Sequence, residues 1–485
     1  MDELHTKLIF PKSLQRQSII LNKLFESSTA LSVNELSQEL DVSVRTIVND
    51  LDYLTDMLPS TVKINIDKFK LINLESTDSY AFYEFLTTVV TISPLYKIID
   101  SLFIDELHNL EDWADILFVS EKTLQRYLFK LRELLEVYEL KLSFNPVNIV
   151  GQEENIRLFF YAFYASGNLH LRSPGGMEKE ITEKLSEALS EHIELIRTQK
   201  TRSLYWAMIL YRRYRQGKYI NTSISKDNFP GYFDTYKNIH IEIIEAYGID
   251  TKKMPDEEFL FIDYLALENI LYSVGNTYSE FRMRKMIDNS VNYRFLEFIL
   301  IHEFKINSKI GEAMRTHTML FNNMQALSQF SPLFQKNKIE LNLMIKKKYP
   351  IIFNKWLKIM RKYDLTRSRF IEYLEDFCVK LTMLTSLYVE QEHIYRRVVF
   401  ILTGENIYID YITNQFKKMN SEDININFKY DTYIQKGLLE STDIFITNTK
   451  VRLEGAEEAG IPVIYVSLFP TSSDFQRIES LLNWE

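Results

Sequence analysis

Two stretches of the sequence decide the fold. Residues 31–51 read LSVNELSQELDVSVRTIVNDL, and residues 110–131 read LEDWADILFVSEKTLQRYLFKL. Each contains a segment with apolar residues at helical spacing, a short turn, and a second such segment that begins just after a serine, Ser43 or Ser120. Because serine accepts backbone N–H groups at the start of a helix, both stretches predict two helices joined by a tight turn.

The first copy has the further parts of a winged helix-turn-helix. Ser32 and Glu35 form a capping-box pair for its first helix, and residues 61–72 alternate apolar and polar side chains, as a strand pair does. The second helix of such a motif enters the major groove of DNA, where arginine suits guanine and asparagine suits adenine. The residues expected to face DNA are Ser43, Arg45, Thr46 and Asn49 on this helix, with Lys63, Lys68 and Lys70 of the wing near phosphates.

The second copy repeats this layout and has the more basic recognition helix. Residues 140–144 and 147–151 predict a hairpin around Asn145 and Pro146, which is the wing of this copy. The polar side chains of the helix lie mostly off its apolar stripe. The residues expected to face DNA here are Lys122, Thr123, Gln125, Arg126 and Lys130.

Two alternatives stay open at this point. A plain three-helix bundle can carry a helix-turn-helix pattern by chance, although the strands that follow each copy and the presence of two copies reduce its weight. Alternatively, one copy has kept its fold for dimer or interdomain packing and has lost its contact with DNA. The first copy, which is flanked by acidic residues, is the candidate for that role.

Length and composition limit the folds and functions that the chain can have. The 485 residues correspond to about three to five domains at roughly 100–200 residues each, and the apolar spacing predicts a mainly α protein. Cys378 is the only cysteine, which excludes a disulfide framework and multi-cysteine metal sites. With no signal pattern and no apolar run of about 18 residues, we expect a soluble cytoplasmic protein without membrane contact. The net charge of -9 requires any DNA contact to come from a local patch.

The order of the segments resembles the Mga/AtxA-type transcriptional regulators of Gram-positive bacteria, a family of virulence regulators. The resemblance covers nearly the whole chain and implies a mainly α, multidomain protein that binds double-stranded promoter DNA. It implies two all-helical repeats, which in this family are phosphotransferase-system regulation domains, and a small C-terminal α/β domain. The expected domains are a first winged helix-turn-helix at 1–75, a second at 76–155, helical repeats at 156–285 and 286–394, and the α/β domain at 395–485.

The resemblance also implies phosphorylation of histidines by phosphocarrier proteins of the sugar phosphotransferase system. His192 lies in Leu189–Ile193, which is similar to the stretch that carries the phosphorylated histidine in such repeats. Residues 256–262 resemble the second signature helix of the repeat but lack its histidine. The candidate phosphorylation sites are His192, His393 and His317, and a packed structural histidine is the alternative for each.

The last part of the chain predicts a small parallel sheet. Residues 397–402, 424–428, 444–447 and 462–466 are apolar strand segments, and a helix follows the first of them. This part resembles the EIIB-like tail of these regulators, but the loop at 403–406 has no cysteine to carry phosphate. We therefore expect a domain that has kept its fold, lost transfer chemistry and supports a homodimer. No enzyme activity, cofactor or metal is expected.

Two other functions compete with DNA-dependent regulation. An RNA-binding antiterminator also carries paired regulation domains, but it begins with a small β-rich RNA-binding module instead of helix-turn-helix units. A sugar-transport component of the phosphotransferase system needs the cysteine that the 403–406 loop lacks. Both features favour a DNA-binding transcriptional regulator.

Overall fold

The computed structural model is mainly helical. It describes residues 3–27, 29–165, 200–222, 241, 244–245, 248–268, 292–307, 309–367 and 371–389, and in the C-terminal part residues 398–402, 407, 409, 411–412, 426–428, 442, 444–448, 456, 461–467, 471 and 474. The chain divides into two compact units, one formed by residues 1–300 and 310–386 and one by residues 301–309 and 387–485.

The first winged domain has the predicted helix-turn-helix and wing. After α1 (Glu3–Leu8) and α2 (Lys12–Glu26) come β1 (Leu31–Ser32), α3 (Val33–Glu39), α4 (Val44–Met57), β2 (Val62–Ile66) and β3 (Leu71–Ser76). The strands form an antiparallel sheet in the order β1-β3-β2. Its core lies between α2, α3, α4 and the inner face of this sheet. The sheet excludes the plain three-helix bundle for this copy.

The second winged domain follows the same plan. It contains α5 (Ser79–Thr91), α6 (Pro94–Phe103), α7 (Leu110–Ile116), α8 (Glu121–Glu136) and the antiparallel hairpin of β4 (Lys141–Phe144) and β5 (Val147–Val150). Every fourth or third residue of α8 faces the core, as amphipathic spacing dictates, and these residues are Leu124, Leu128, Leu131 and Leu135.

Each winged domain contributes one helix to the core of the other. Leu8 and Ile9, at the end of α1, are buried in the core of the second winged domain, and the His5 Nε2 lies 2.7 Å from the carbonyl oxygen of Phe163. Conversely, Phe82 on α5 packs in the core of the first winged domain, stacked on Phe25 with ring centroids 4.2 Å apart. The sequence-based boundary at residue 75 does not separate the two cores, because each core takes a helix from the other side of it.

The helical region of the first unit begins with α9, which leaves the second wing directly. Its described elements are α9 (Glu153–Ala165), α10 (Lys200–Arg215), α11 (Asp256–Glu268), α12 (Tyr293–Phe298), α13 (Ile310–Phe330), α14 (Ile339–Lys348), α15 (Pro350–Arg367) and α16 (Leu374–Thr385). Phe159, Phe160 and Phe163 of α9 are fully buried in the core of the second winged domain. The helical region is therefore anchored on that domain.

The second unit contains the predicted parallel sheet. Strands β6 (Val398–Ile401), β7 (Ile426–Phe428), β8 (Ile444–Thr447) and β9 (Val463–Tyr465) run parallel in the order β7-β6-β8-β9. Both faces of β6 and β8 are buried, which accounts for their uninterrupted apolar sequences. The Thr447 hydroxyl donates to the carbonyl oxygen of Ile401 across the two central strands at 2.7 Å.

Within the described part of the chain, no helix taken alone has both the length and the apolar character needed to cross a membrane. Helices α5 and α6 meet those two conditions only as a pair, and they are bent by 81° relative to each other.

Candidate nucleic-acid interface

Both recognition helices begin with the same serine cap. The Ser43 Oγ accepts the backbone N–H of Thr46 at 3.1 Å, and the Ser120 Oγ accepts that of Thr123 at 3.3 Å. In each pair the two hydroxyls are also hydrogen-bonded, at 2.8 and 3.0 Å. Ser43, Thr46 and Thr123, three of the side chains predicted to face DNA, therefore have a structural role in starting these helices.

The turns before the caps are also equivalent. Asp41 and Phe118 both have a positive φ, 50° and 53°. The N–H of the next residue then returns to the first helix of the motif, from Val42 to the Ser37 carbonyl and from Val119 to the Ala114 carbonyl, both at 3.0 Å. These bonds hold the recognition helix at a fixed angle to the helix before it.

The outward face of α8 presents a compact set of side chains. Lys122, Gln125, Arg126 and Phe129 are all exposed and follow the spacing i, i+3, i+4, i+7. This spacing places them along one line of the helix, opposite its buried leucines. One Arg126 guanidinium nitrogen donates to the Thr123 hydroxyl at 3.3 Å, which keeps the charge near the start of the helix. A local basic patch thus exists on a chain with net charge -9.

The charge of this face changes along α8. Lys130 forms an ion pair with Glu133 at 2.6 Å, and Arg132 lies 3.8 Å from Glu136. All four side chains are at least 44% exposed, so each pair contributes little to stability and can be opened by a phosphate. The N-terminal half of α8 is basic and the C-terminal half is neutralised, which favours entry of the N-terminal half into a groove.

The corresponding face of α4 has a different character. When Ser43 is aligned with Ser120, the outward positions of α4 are occupied by Arg45, Asn49, Asp52 and Asp56, all exposed. The two aspartates stand where α8 has Phe129 and Glu133. Their charge repels the DNA backbone, so only the first turns of α4 suit contact with a groove.

The charge of the two wings differs in the opposite sense from that of the recognition helices: the first wing is the more basic one. The first wing exposes the three predicted cations Lys63, Lys68 and Lys70. The Asp67 Oδ1 accepts the backbone N–H groups of Phe69 and Leu71, both at 2.8 Å, which fixes the tip. The second wing is a short hairpin with one exposed cation on its strands, Lys141.

A buried charge network joins the second winged domain to the helical region. The Arg157 guanidinium is fully buried and donates to both carboxylate oxygens of Glu258, at 2.7 and 2.8 Å. Glu153 accepts from Arg157 at 2.9 Å and from Arg213 at 2.6 Å, and the Tyr214 hydroxyl donates to Glu258 at 3.0 Å. Local sequence signals do not reveal this network, because Arg157 and Glu258 are 101 residues apart in the chain.

The charges in this network stabilise one another. Burial lowers the pKa of Arg157, but the adjacent Glu258 carboxylate outweighs burial and raises that pKa above its usual value. For Glu153, burial raises the pKa, while the hydrogen bond and charge of Arg213 and the charge of Arg157 leave it lower than usual. Arg157 and Glu153 are therefore charged at neutral pH, and the contacts of the network tie α9 to α10 and α11.

The predicted phosphorylation sites fall in different places. His192 and His393 lie outside the described residues. His317 is fully buried on α13, with its Nδ1 2.7 Å from the Ala313 carbonyl oxygen and its Nε2 2.9 Å from the Thr385 hydroxyl. Burial lowers its pKa to about 4. In this conformation both ring nitrogens of His317 are engaged, so phosphorylation there requires α13 and α16 to separate.

Two further groups bear on chemistry. Cys378 is buried on α16, and burial raises the pKa of its thiol to about 12, which leaves it protonated at neutral pH. Among the described residues, the side chains of His, Cys, Asp and Glu form no group of three or more that could hold a metal ion.

Comparison with known proteins places the helix-turn-helix units in families. Residues 78–164 match the Mga helix-turn-helix domain, and residues 16–69 match a helix-turn-helix domain family. The chain is 23% identical to the capsule synthesis positive regulator AcpA of Bacillus anthracis, over 96% of this chain and 98% of that protein. It is 20% identical to the anthrax toxin expression trans-acting positive regulator of the same organism, over 98% and 100%. A putative trans-acting regulator of Streptococcus pneumoniae is 23% identical over 39% of this chain and 37% of its own.

Proposed function

With its resemblance to the Mga/AtxA-type transcriptional regulators confirmed over nearly the full chain, we propose that this protein binds promoter DNA and regulates transcription. The observation that supports this most directly is the exposed face of α8, where Lys122, Gln125 and Arg126 follow one another from the helix start. Lysine and arginine neutralise phosphates, and arginine and glutamine recognise guanine and adenine in the major groove.

The direction of regulation is proposed from the relatives. AcpA and the anthrax toxin regulator are both named positive regulators. By this similarity we propose that the chain activates its target promoters. The second winged domain makes the main contact, and the first adds contacts through its wing and the start of α4.

The test compares equivalent positions in the two winged domains. The full-length protein should be used, because Phe159, Phe160 and Phe163 of α9 belong to the core of the second winged domain. We expect Lys122→Ala with Arg126→Ala to weaken binding to a selected duplex by about tenfold or more. The equivalent change in α4, Arg45→Ala with Asn49→Ala, should have a smaller effect.

Fluorescence anisotropy at several salt concentrations measures both effects. The control is Lys347→Ala with Lys358→Ala, two exposed lysines of the helical region, which should bind as the wild type does. Absence of binding to any duplex at low salt, or an unchanged affinity of the α8 variant, would contradict the proposal.

We further propose that phosphocarrier proteins of the phosphotransferase system control this activity by phosphorylating His192, with His393 and His317 as further sites. The support is the resemblance of residues 189–193 to the phosphorylated stretch of regulation domains. A phosphoryl group adds nearly two negative charges and can repack a helix interface. His192→Asp and His192→Ala should shift a reporter in opposite directions, and only the wild type should be labelled at this position. Equal labelling of wild type and His192→Ala would contradict the assignment.

We also propose a homodimer held by the C-terminal α/β domain, since two-fold pairing commonly matches paired half-sites on DNA. Sedimentation should give a dimer for the full chain and a monomer for a chain that ends at Glu392. Equal monomeric masses for both would rule it out.

A further inference from the structure

We propose that Phe129 reads the 5-methyl group of thymine in the major groove. This inference rests on the proposed DNA binding and names a contact that its basic residues do not supply. Phe129 is the fourth member of the line formed by Lys122, Gln125 and Arg126 on α8. The seven helical steps from Lys122 to Phe129 cover about 10 Å of helix, which fits within a major groove about 12 Å wide.

Phe129 is a large apolar side chain exposed on the outward face of α8. Its side chain is 48% exposed on a face whose neighbours are Gln125, Arg126 and Glu133. A large apolar side chain at the centre of a charged helix face gains nothing from water. It gains free energy when a partner removes its ring from solvent.

The Phe129 ring is in contact with a neighbouring cation. The Arg132 guanidinium lies over the Phe129 ring, 4.7 Å from its centroid. This cation–π contact covers part of the Phe129 ring, while the side chain stays 48% exposed. The aromatic side chain is therefore held in place before any partner arrives, which lowers the entropy lost on binding.

The chemistry of the groove identifies the partner. The major-groove edges of the bases carry hydrogen-bond donors and acceptors, and the one apolar group among them is the thymine methyl. Lys122, Gln125 and Arg126 serve the polar atoms. The Phe129 side chain has no hydrogen-bonding group for these polar atoms, but it can make apolar contact with a methyl group.

The first winged domain provides an internal contrast. The residue equivalent to Phe129 is Asp52, whose carboxylate has no apolar surface for a methyl group. Thymine recognition is therefore assigned to the second winged domain alone, and Asp52 is the matched control position.

The test removes thymine methyl groups without changing base pairing. A duplex enriched from a random pool by the full-length wild-type protein is prepared once with thymine and once with uracil, and anisotropy gives both affinities. The wild type should bind the uracil duplex about fourfold more weakly for each methyl contacted. Phe129→Ala should bind both duplexes equally, at about the affinity of the wild type for the uracil duplex.

Two controls separate contact from general effects. Phe129→Leu keeps an apolar side chain and should retain the preference for thymine, and Asp52→Ala should retain it fully. Because Phe129 is exposed, circular dichroism of Phe129→Ala should match the wild type.

Equal binding of both duplexes by the wild type, or an unchanged preference in Phe129→Ala, would overturn the inference while leaving DNA binding intact. If the wild type enriches no duplex from the pool, the proposed function itself fails, and the inference fails with it.

Discussion

The two winged domains share a backbone plan but differ in what they present and in what supports them. The first has a basic wing and acidic residues, Asp52 and Asp56, along its recognition helix. The second has a basic start to its recognition helix and a short wing. The core of the first is built from its own elements and α5, whereas that of the second takes in α1 and α9. Among the described residues, the second core is thus the one that continues into the helical region.

The largest expected effect tests this difference in support. Arg157→Ala leaves Glu258 buried without its guanidinium partner and should lower the free energy of unfolding of α8 and α9 by about 3–5 kcal/mol. The matched change in the first winged domain is Arg16→Ala, which removes the charged partner of Asp50. Arg16 is 20% exposed, and Gln17 still donates to Asp50 at 2.9 Å, so a loss of about 1–2 kcal/mol is expected.

Hydrogen exchange resolved by residue measures these local stabilities. Amides of α8 and α9 should lose protection in Arg157→Ala, while those of α4 stay protected. Equal loss in both winged domains would show that the charge network does not support the second one selectively.

The second largest expected effect is a pH dependence of stability that arises in the helical region and not in the winged domains. The pKa of His317 is lowered to about 4 from 6.5, so below pH 6.5 the unfolded chain takes up a proton that the folded chain does not. Stability is therefore lost as pH falls from 6.5 towards 4, by up to about 3 kcal/mol. Urea unfolding at pH 7 and pH 5, followed by tryptophan fluorescence, should show the loss.

Two variants assign that loss to His317. His317→Gln cannot titrate and should flatten the dependence of stability on pH in this range. His108→Gln, in the second winged domain, should keep it. A pH dependence that survives in His317→Gln would place its origin in another group.

Local signals in the sequence were sufficient for the helix-turn-helix units, both wings and the parallel sheet. The Ser43 and Ser120 caps, the alternation in residues 61–72 and the apolar strands of the tail each depend on neighbours within a few residues. Contacts between distant segments left no such signal. The sequence around Arg157 indicates a polar position of an amphipathic helix, and its burial depends on its pairing with Glu258, 101 residues away. The packing of α1 in the second core was missed for the same reason.

Local helical periodicity predicted some residues of the candidate interface and missed another. Helical periodicity placed Lys122, Gln125 and Arg126 outward, as the structure does. Ser43 was also predicted as a helix cap, and its hydroxyl does cap α4, while the Thr46 and Thr123 hydroxyls bond the capping serines. Contact of these three side chains with DNA stays a prediction. Phe129 was passed over because an aromatic residue on a helix is more often a core residue. Its exposure depends on how α8 packs.

The smallest expected effect concerns the turns, where the two winged domains differ by one side chain. A left-handed conformation costs roughly 1–2 kcal/mol for most residues but little for Asp or Asn, whose side chains bond locally. Phe118 adopts it with φ 53° and is 95% exposed, so its ring offers little packing in compensation. Phe118→Asn should therefore stabilise its turn by about 1 kcal/mol, while Asp41→Asn should change the stability of its own turn by a few tenths of a kcal/mol.

The N–H groups of Val119 and Val42, which close the two turns, report this difference through hydrogen exchange. Protection at Val119 should rise about fivefold and that at Val42 should stay constant. A fall in protection at Val119 would mean that the Phe118 ring stabilises the turn through a contact, and the backbone argument for the difference between the two turns would be wrong.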